Sequence, residues 1–268
     1  MRFIGQNHIM NELQFILPRA YSDSNFNVNI LLKANSGYGK TDMGLKIGRY
    51  IGGEKFIYCL ANKDADLIAD KIRIIENRVI FVDEIHLFTD PEPFYPLMDS
   101  KKYFFIFATN QSAKLKEPFE NRCINFLFEP YTLEELRLIA REKIPICSNR
   151  PDDFIDLIIK AGEDNPRKIS MLCIRLITIF NSIGVPTIEK LGKILEDILN
   201  IKEGLDIRER TYLSVLGEIQ LASLDTLSSI LGYSKDIIKY EIEPQLLYKR
   251  LISISSRGRS IINVNNNL

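Results

Sequence analysis

Residues 28–41, VNILLKANSGYGKT, decide the fold of the first half of the chain. The apolar run over 28–32 predicts a buried strand, and a helical pattern over 40–50 follows it after a turn rich in glycine. A strand, a tight turn with Gly37 and Gly39, and a helix that begins with Lys-Thr together form a phosphate-binding loop. The loop therefore predicts an α/β domain that binds a nucleotide.

The loop supplies the groups that phosphates need. Its candidate nucleotide-binding residues are Ser36, Gly37, Tyr38, Gly39, Lys40 and Thr41. Backbone N–H groups around the glycines can turn toward phosphate oxygens, and the helix adds its positive end. We expect Lys40 to reach the β- and γ-phosphates and Thr41 to ligate magnesium. Ala34 replaces the first glycine of the usual pattern, a small departure that leaves ATP and Mg²⁺ as the predicted ligands.

An acidic pair ends another strand. The run VIFVDE, residues 79–84, places Asp83 and Glu84 at the carboxyl end of a strand, which lies beside the loop in a parallel sheet. We expect Asp83 to hold magnesium and Glu84 to orient or deprotonate the attacking water. A further strand, over 103–108, leads to Asn110, whose side chain is a candidate for contact with the γ-phosphate or with that water.

Two arginines are candidates for charge compensation, because a planar guanidinium pairs two phosphate oxygens at once. Arg122 follows a helical stretch over 116–121, and if it points out of its own subunit it serves the ATP of a neighbour. Arg167 opens a later helix, from which it can close over the γ-phosphate. The predicted catalytic residues are Lys40, Glu84, Asn110, Arg122 and Arg167.

Short apolar runs alternate with helical patterns through the first half, which indicates a parallel sheet covered on both faces. The predicted strands cover 28–32, 55–60, 79–82, 103–108 and 124–128, with a further helix over 64–75. Strand signals then stop, and Thr132 with Glu135 forms a capping box at the start of a helical region. Its helices are predicted over 132–143, 151–161, 165–182 and 187–200.

A third unit follows Gly204 and has the element order of a winged helix. Its helices are predicted over 208–219, 223–231 and 234–248, and its hairpin strands over 252–255 and 261–264. The predicted fold is thus an α/β P-loop ATPase domain with a parallel sheet (residues 1–129), an all-α lid domain (130–202) and a C-terminal winged helix (203–268).

Composition limits the kinds of partner and the cellular compartment that we expect for the protein. The 35 basic and 35 acidic residues cancel, so any nucleic-acid site has to be a local basic patch, and little global repulsion opposes self-association. The amino terminus lacks a signal-peptide pattern, and no run of about 18 apolar residues marks a membrane span. The four cysteines form no CxxC pair, as expected of reduced thiols. We therefore expect a cytoplasmic protein without a membrane partner.

The order and spacing of these segments resemble the RuvB family of AAA+ ATPases across nearly the whole chain. The matching segments are Phe3 to Gln6, Gly37 to Thr41, Val82 to His86, Asn165 to Arg167, Glu243-Pro244 and Arg257 to Arg259. The resemblance implies a large ATPase domain, a helical lid and a winged-helix head, assembled as a homo-oligomeric, hexameric ring around duplex DNA. It also implies that Asn110 is sensor 1, Arg122 the arginine finger and Arg167 sensor 2, with Ile4 near the adenine.

One departure from the family bears on partners. Between the acidic pair and sensor 1, the family carries a long insertion with a β-hairpin that docks its junction-recognition partner. Only residues 87–103 fill that gap here, so we expect the hairpin to be missing, which argues against docking of that partner. The resemblance then implies a compact motor of phage or mobile-element type.

The predicted winged helix favours DNA binding. From Lys235 to the end, six basic residues stand against three acidic ones. Arg257 and Arg259 flank Gly258 at the predicted hairpin tip, where their charges can reach phosphates. Winged helices also serve as protein-interaction modules, and that alternative stays open.

Three functions are compatible with the sequence. The first is an ATP-driven motor or remodeller that acts on DNA as an oligomeric ring. The second is a loader or assembly ATPase (a helicase or clamp loader, or a phage assembly factor) that acts on a protein partner of replication, recombination or phage assembly. The third is a nucleotide-dependent switch with little turnover, which Ala34 and the unusual Asp42 leave open.

Overall fold

The computed structural model describes residues 3–76, 78–202 and 204–262. Contacts divide the chain into two units, one of Met1–Ile139 with Asn165–Lys168 and one of Ala140–Asp164 with Ile169–Leu268. Both the predicted lid and the predicted winged helix thus fall mainly in the second unit. The division into domains 1–129, 130–202 and 203–268 stays a prediction.

The first unit is built on a parallel sheet of five strands. They are β1 (Asn29–Lys33), β2 (Ile57–Leu60), β3 (Val79–Asp83), β4 (Phe104–Thr109) and β5 (Ile124–Leu127). Their order across the sheet is β2-β3-β4-β1-β5, and every pairing is parallel. Each predicted strand is present, with ends within two residues of those expected, so the predicted fold class is confirmed.

Helices cover both faces of this sheet. They are α1 (Asn7–Ser22), α2 (Lys40–Gly52), α3 (Ala65–Ile74), α4 (Tyr95–Asp99) and α5 (Glu117–Glu120). Alternate residues of β4 belong to the hydrophobic cores on opposite faces of the sheet. Phe105 and Phe107 pack with α3, α4 and α5, whereas Phe104 and Ile106 pack with α1 and α2. Each buried phenylalanine contributes about 2–3 kcal/mol by leaving water, so the two cores hold the strand ends in a fixed register.

Helix α1 was missing from the sequence-based prediction. It contains Pro18, which lacks an N–H and normally ends a helix, and no side chain caps its start. Its buried residues are Ile9, Leu13, Leu17 and Ala20, whose spacing of three and four is the signal that should have identified it.

The remaining elements are helical up to the terminal hairpin. The helices are α6 (Leu133–Lys143), α7 (Asp152–Ala161), α8 (Pro166–Ile183), α9 (Ile188–Lys193), α10 (Ile207–Ile219), α11 (Leu224–Leu231), α12 (Lys235–Ile237) and α13 (Glu243–Tyr248). The capping box at α6 is present: the Thr132 N–H donates to Glu135 Oε2 at 2.8 Å, and the Glu135 N–H donates to Thr132 Oγ1 at 3.3 Å.

Two predicted helices contain a π-helical turn. One turn, Ile194–Ile198, follows α9, and the other, Ile238–Ile242, joins α12 to α13. The second turn directly precedes Glu243-Pro244, and the Glu243 N–H donates to Ile238 O, five residues back. Because Pro244 has no N–H, the helix cannot keep its regular bonding there, which is the physical reason for the wider turn.

Among the described residues, no single helix is long and apolar enough to cross a membrane. One pair of helical segments, Pro166–Ile183 and Ile188–Ile198, has the length and apolar composition of a membrane span only when the two are joined. The pair is bent by 118° at the break.

The terminal hairpin is tighter than predicted. Strands β6 (Ile252–Ser255) and β7 (Gly258–Ile261) pair with Ser255 opposite Gly258, so the turn holds only Ser256 and Arg257. The predicted second strand, 261–264, began three residues too late, and residues 263–264 lie outside the described residues. Arg259 is therefore a strand residue, and the prediction that it lies at the tip was wrong.

Arg259 instead takes part in a buried ion pair. Its Nε donates to Glu243 Oε1 at 2.8 Å and its Nη2 to Glu243 Oε2 at 3.3 Å, and the Tyr212 hydroxyl also donates to Glu243 Oε1, at 2.9 Å. Glu243 is 1% exposed. A buried carboxylate needs such partners, so this pair ties the hairpin to α13 and α10.

We expect Glu243→Ala to lower the free energy of unfolding by about 3 kcal/mol, because it leaves the Arg259 charge and the Tyr212 hydroxyl without their acceptor. Urea denaturation followed by circular dichroism measures this. Glu241→Ala is the matched control: Glu241 lies two residues away, is exposed and pairs with Arg208 at 2.9 Å, so its loss should cost less than about 1 kcal/mol. Equal effects of the two substitutions would contradict the structural role of the buried pair.

Candidate active site

The glycine-rich loop follows β1 and depends on its glycines. Gly37 and Gly39 have φ of 87° and 89°, in the left-handed region that other residues rarely adopt. A Cβ on Gly37 would lie 2.3 Å from Asn165 Oδ1, so no larger residue fits. Lys40 is 5% exposed, and its Nζ donates to Ala34 O at 2.9 Å and Asn35 O at 3.0 Å. The ammonium thus lies inside the curve of the loop.

Strand β3 brings the first acid of the pair to the loop. The Thr41 hydroxyl donates to Asp83 Oδ2 at 2.7 Å, and Asp83 Oδ1 accepts from the Glu84 N–H at 2.9 Å. Asp83 is 3% exposed. A hydroxyl and a carboxylate in direct contact at the start of a helix are oxygen ligands of the kind that Mg²⁺ prefers.

Glu84 is held in an unusual state. Its backbone is left-handed, with φ of 54°, and its Oε2 is buried without a hydrogen-bond partner among the described residues. His86 Nδ1 lies 3.3 Å from this oxygen, but the contact does not have the geometry of a hydrogen bond. Burial, followed by the charge of Asp83, raises the pKa of Glu84, while Lys40 and Arg167 oppose that shift. A strained, desolvated carboxylate of this kind is typical of a catalytic base.

The end of β4 adds a second polar group with no partner. Asn110 Oδ1 is buried and accepts no hydrogen bond from the described residues. The preceding residue, Thr109, accepts from the Gln111 N–H at 3.1 Å, and its Oγ1 lies 3.2 Å from His86 Nδ1. Burial, with the charges of Lys114 and Lys40, lowers the pKa of His86, so this ring is neutral at physiological pH.

Arg167 and Asn165 also reach the loop. Asn165 Nδ2 donates to Ser36 O at 3.1 Å, while its Oδ1 accepts from the Arg167 N–H at 3.0 Å and so caps α8. Arg167 Nη1 lies 3.5 Å from Ser36 Oγ. Burial lowers the pKa of Lys40, the charge of Arg167 acts in the same direction, and Glu84 and Asp83 oppose that shift. An ammonium and a guanidinium that both reach the loop form an arrangement suited to an anion.

Arg122 lies elsewhere in the same unit. It precedes β5, and Asn29 Nδ2, at the start of β1, donates to its carbonyl oxygen at 2.9 Å. The loop leaves the opposite end of β1, about 15 Å away at the rise of a strand. The structure therefore does not bring Arg122 to the glycine-rich loop of its own chain, as expected of a residue that serves a neighbour.

The amino-terminal segment packs beside the loop. Gln6 and Glu129 exchange two hydrogen bonds, Gln6 Nε2 to Glu129 O at 2.8 Å and the Glu129 N–H to Gln6 Oε1 at 2.9 Å. Ile4 is half-buried in this segment. In the same segment Phe3 lies against the loop, and its Cζ would be 3.1 Å from a Cβ on Gly39.

Sequence reasoning gave no role in the site to three residues that contact the loop or the end of β4. Tyr131 donates from its hydroxyl to Tyr38 O at 3.0 Å, Asn165 binds Ser36, and His86 contacts Thr109. Asn165 carried a usable signal, because Asn followed by Pro at the first helical position is a typical helix start. Tyr131 carried none, since a single aromatic residue in a linker has no periodic pattern.

These features define the class of the protein. The five-stranded parallel sheet carries a phosphate-binding loop after β1, an acidic pair after β3 and a polar residue after β4. A P-loop ATPase of the AAA+ class has this combination.

Comparison with known proteins narrows the class. Residues 1–118 match the model of the Holliday junction DNA helicase RuvB P-loop domain, and residues 202–264 match that of the RuvB C-terminal winged helix domain. The RuvB subunit of the Holliday junction branch migration complex of Mycoplasmopsis synoviae is 27% identical, over 97% of this chain and 92% of its own. The Ureaplasma urealyticum subunit is 29% identical, over 97% and 91%. The chain is a RuvB-like AAA+ ATPase.

A solved structure shares the whole fold. The Thermotoga maritima RuvB Holliday junction branch migration motor superposes with a TM-score of 0.78, covering 97% of this chain and 93% of that one, at 24% identity. At that identity the likeness concerns the fold alone. The predicted combination of P-loop domain, helical region and winged helix is confirmed.

Proposed function

We propose that this chain is an ATP-driven motor that acts on duplex DNA as a homo-oligomeric ring, with each ATP site completed by a neighbouring subunit. The observation that carries the proposal is a pair of buried oxygens without partners among the described residues, Glu84 Oε2 and Asn110 Oδ1, which follow β3 and β4 in the same sheet as the loop that holds the buried ammonium of Lys40. Unpaired polar atoms are costly, and a triphosphate with its attacking water would supply partners for all of these groups.

The residues fit ATP and Mg²⁺. Lys40 now donates to two loop carbonyls and would transfer those bonds to the β- and γ-phosphates. Thr41 and Asp83 already contact each other and would hold Mg²⁺, which neutralises phosphate charge when bound. Ile4, half-buried in the amino-terminal segment beside the loop, would contact the adenine.

Each remaining site residue has a distinct proposed role. Glu84 accepts a proton from, or orients, the attacking water, and its buried position makes the carboxylate a better base. Asn110 fixes that water or a γ-phosphate oxygen through its side-chain amide. Arg167 approaches from α8 and pairs with the γ-phosphate, and Arg122 of the neighbouring subunit compensates charge there.

DNA is the proposed load because of the carboxyl-terminal region. The relatives act at Holliday junctions by name, and the winged-helix model matches residues 202–264. Arg257 lies exposed in the hairpin turn, where it can meet a phosphate. The protein-loader alternative has no observation of its own among the described residues. Since both ATP and DNA are its ligands, we place the protein in the cytoplasm.

We do not propose that this chain binds the junction-recognition partner that the family docks through a β-hairpin. All of residues 84–103 are described, and they contain 3₁₀ turns and α4 but no strand. The hairpin expected to be missing is therefore absent from this segment. We accordingly propose a motor that works without a partner docked on residues 84–103.

Electron microscopy of the Glu84→Gln protein with ATP, with and without duplex DNA, tests the proposal. We expect closed rings, with density through the pore only when DNA is present. ATP hydrolysis by the unsubstituted protein should also rise when duplex DNA is added. Monomers under all conditions, or turnover indifferent to DNA together with no salt-sensitive DNA binding, would contradict the motor.

Arg257→Ala is expected to weaken duplex binding about fivefold and to lower the slope of log K against log salt by about one, because one phosphate contact is lost. Fluorescence anisotropy over a salt series measures both quantities. Arg73→Ala is the control, since Arg73 is a surface arginine of α3 that pairs with Asp70. An unchanged slope for the Arg257 variant would remove this residue from the DNA interface.

A further inference from the structure

The side chain of Arg122 is held through two of its three nitrogens. Its Nε donates to Asp99 Oδ1 at 3.0 Å and lies 3.2 Å from Asp99 Oδ2, and its Nη1 donates to Pro118 O at 2.8 Å. A guanidinium has five N–H groups. Both N–H groups of Nη2 and one of Nη1 therefore have no partner among the described residues.

An aromatic ring fixes the plane of the same guanidinium. The central carbon of Arg122 lies 4.4 Å from the centroid of the Tyr95 ring, a cation–π distance. Tyr95 and Asp99 are the two ends of the five-residue helix α4. One short helix thus sets both the direction and the plane of the arginine.

The arrangement contributes little as a stabilising contact. Arg122 and Asp99 side chains are 32% and 57% exposed, and ion pairs of such exposure add little to stability. The Tyr95 hydroxyl is buried and makes no hydrogen bond with the residues that the structure describes, so it adds no bond there either. What the contacts do supply is a single orientation for a long side chain that would otherwise sample many rotamers.

We propose that Tyr95 and Asp99 are positioning residues for Arg122: they hold its Nε and the face of its guanidinium so that the unpaired N–H groups of Nη2 and Nη1 are presented to the nucleotide of the neighbouring subunit. This inference rests on the proposed function, in which Arg122 acts on the adjacent site. It assigns a role to α4, which lies in the short segment between the acidic pair and β4.

Steady-state ATP hydrolysis by the full chain tests the inference. We expect Asp99→Ala and Tyr95→Leu to lower kcat at least tenfold with KM for ATP nearly unchanged, because the substrate's own binding groups are untouched. Asp99→Glu should restore part of kcat, and Tyr95→Phe should retain it fully, since the ring remains and only an unpaired hydroxyl is lost. A merely structural role would instead lower the melting temperature and the amount of folded protein.

The matched control is Asp90→Asn. Asp90 is in the same segment and also pairs with a cation, Lys116 at 3.0 Å, but it does not contact Arg122. Its variant should keep kcat. If Arg122→Ala lowers kcat while Asp99→Ala and Tyr95→Leu do not, the positioning role is wrong and the shared site stands. If Arg122→Ala itself keeps kcat, the shared site of the proposed function fails.

Discussion

Glu84→Gln is expected to lower kcat for ATP hydrolysis by about 10³-fold while changing nucleotide affinity less than about threefold, as the loss of a general base does. The substitution keeps the size of the side chain and replaces one carboxylate oxygen with an NH₂ group, which turns the carboxylate into an amide. Glu84 Oε2 accepts no hydrogen bond from the described residues, and its 3.3 Å contact with His86 is not a hydrogen bond, so no hydrogen bond is lost. The amide cannot take a proton from water, and the step that needs a base is therefore blocked.

A companion substitution separates binding from chemistry. Lys40→Ala should remove both, because Lys40 is the buried cation at the centre of the loop. Phosphate release measures kcat, and titration with a fluorescent ATP analogue measures affinity. Glu54→Gln, at an exposed position of the same unit, controls for the loss of one charge. If Glu84→Gln retained more than a tenth of kcat, Glu84 would not be the base, and the buried oxygen would need another explanation.

Arg122→Ala is expected to lower kcat about 10³-fold without loss of ATP binding, the size of effect that arginine fingers have on phosphoryl transfer. Because Arg122 lies at the amino-terminal end of β5, far from its own loop, the effect must act on the next subunit. Arg19→Ala is a close control: Arg19 also stacks on an aromatic ring, Phe26, at 4.4 Å in the same unit. It should leave kcat unchanged.

Mixing variants distinguishes action within a subunit from action between subunits. Arg122→Ala subunits have a complete loop and Glu84, whereas Glu84→Gln subunits have a complete Arg122. A mixture should hydrolyse ATP faster than either variant alone, because the second supplies an arginine to the sites of the first. The double variant, added in place of Glu84→Gln, should give no such gain. A mixture as inactive as its components would mean that Arg122 does not act across an interface.

The sequence determined the sheet, the loop and the acidic strand end, because each depends on preferences that act within a few residues. Apolar runs set the five strands to within two residues, and glycine is the residue that adopts the positive φ of positions 37 and 39. Two helices of this unit were not predicted: α1, because Pro18 hid a pattern that tertiary packing completes, and the five-residue α4.

Only the tertiary structure decided which side chains meet. Asn165 binds Ser36 across 129 positions, and Arg122 pairs with Asp99 across 23. Arg259 was predicted to lie at the hairpin tip and instead lies in the strand, where it pairs with Glu243. Local patterns carry no information about such partners, because long-range contacts depend on where the packed elements lie. A shift of one or two residues in a turn is also enough to redirect a side chain.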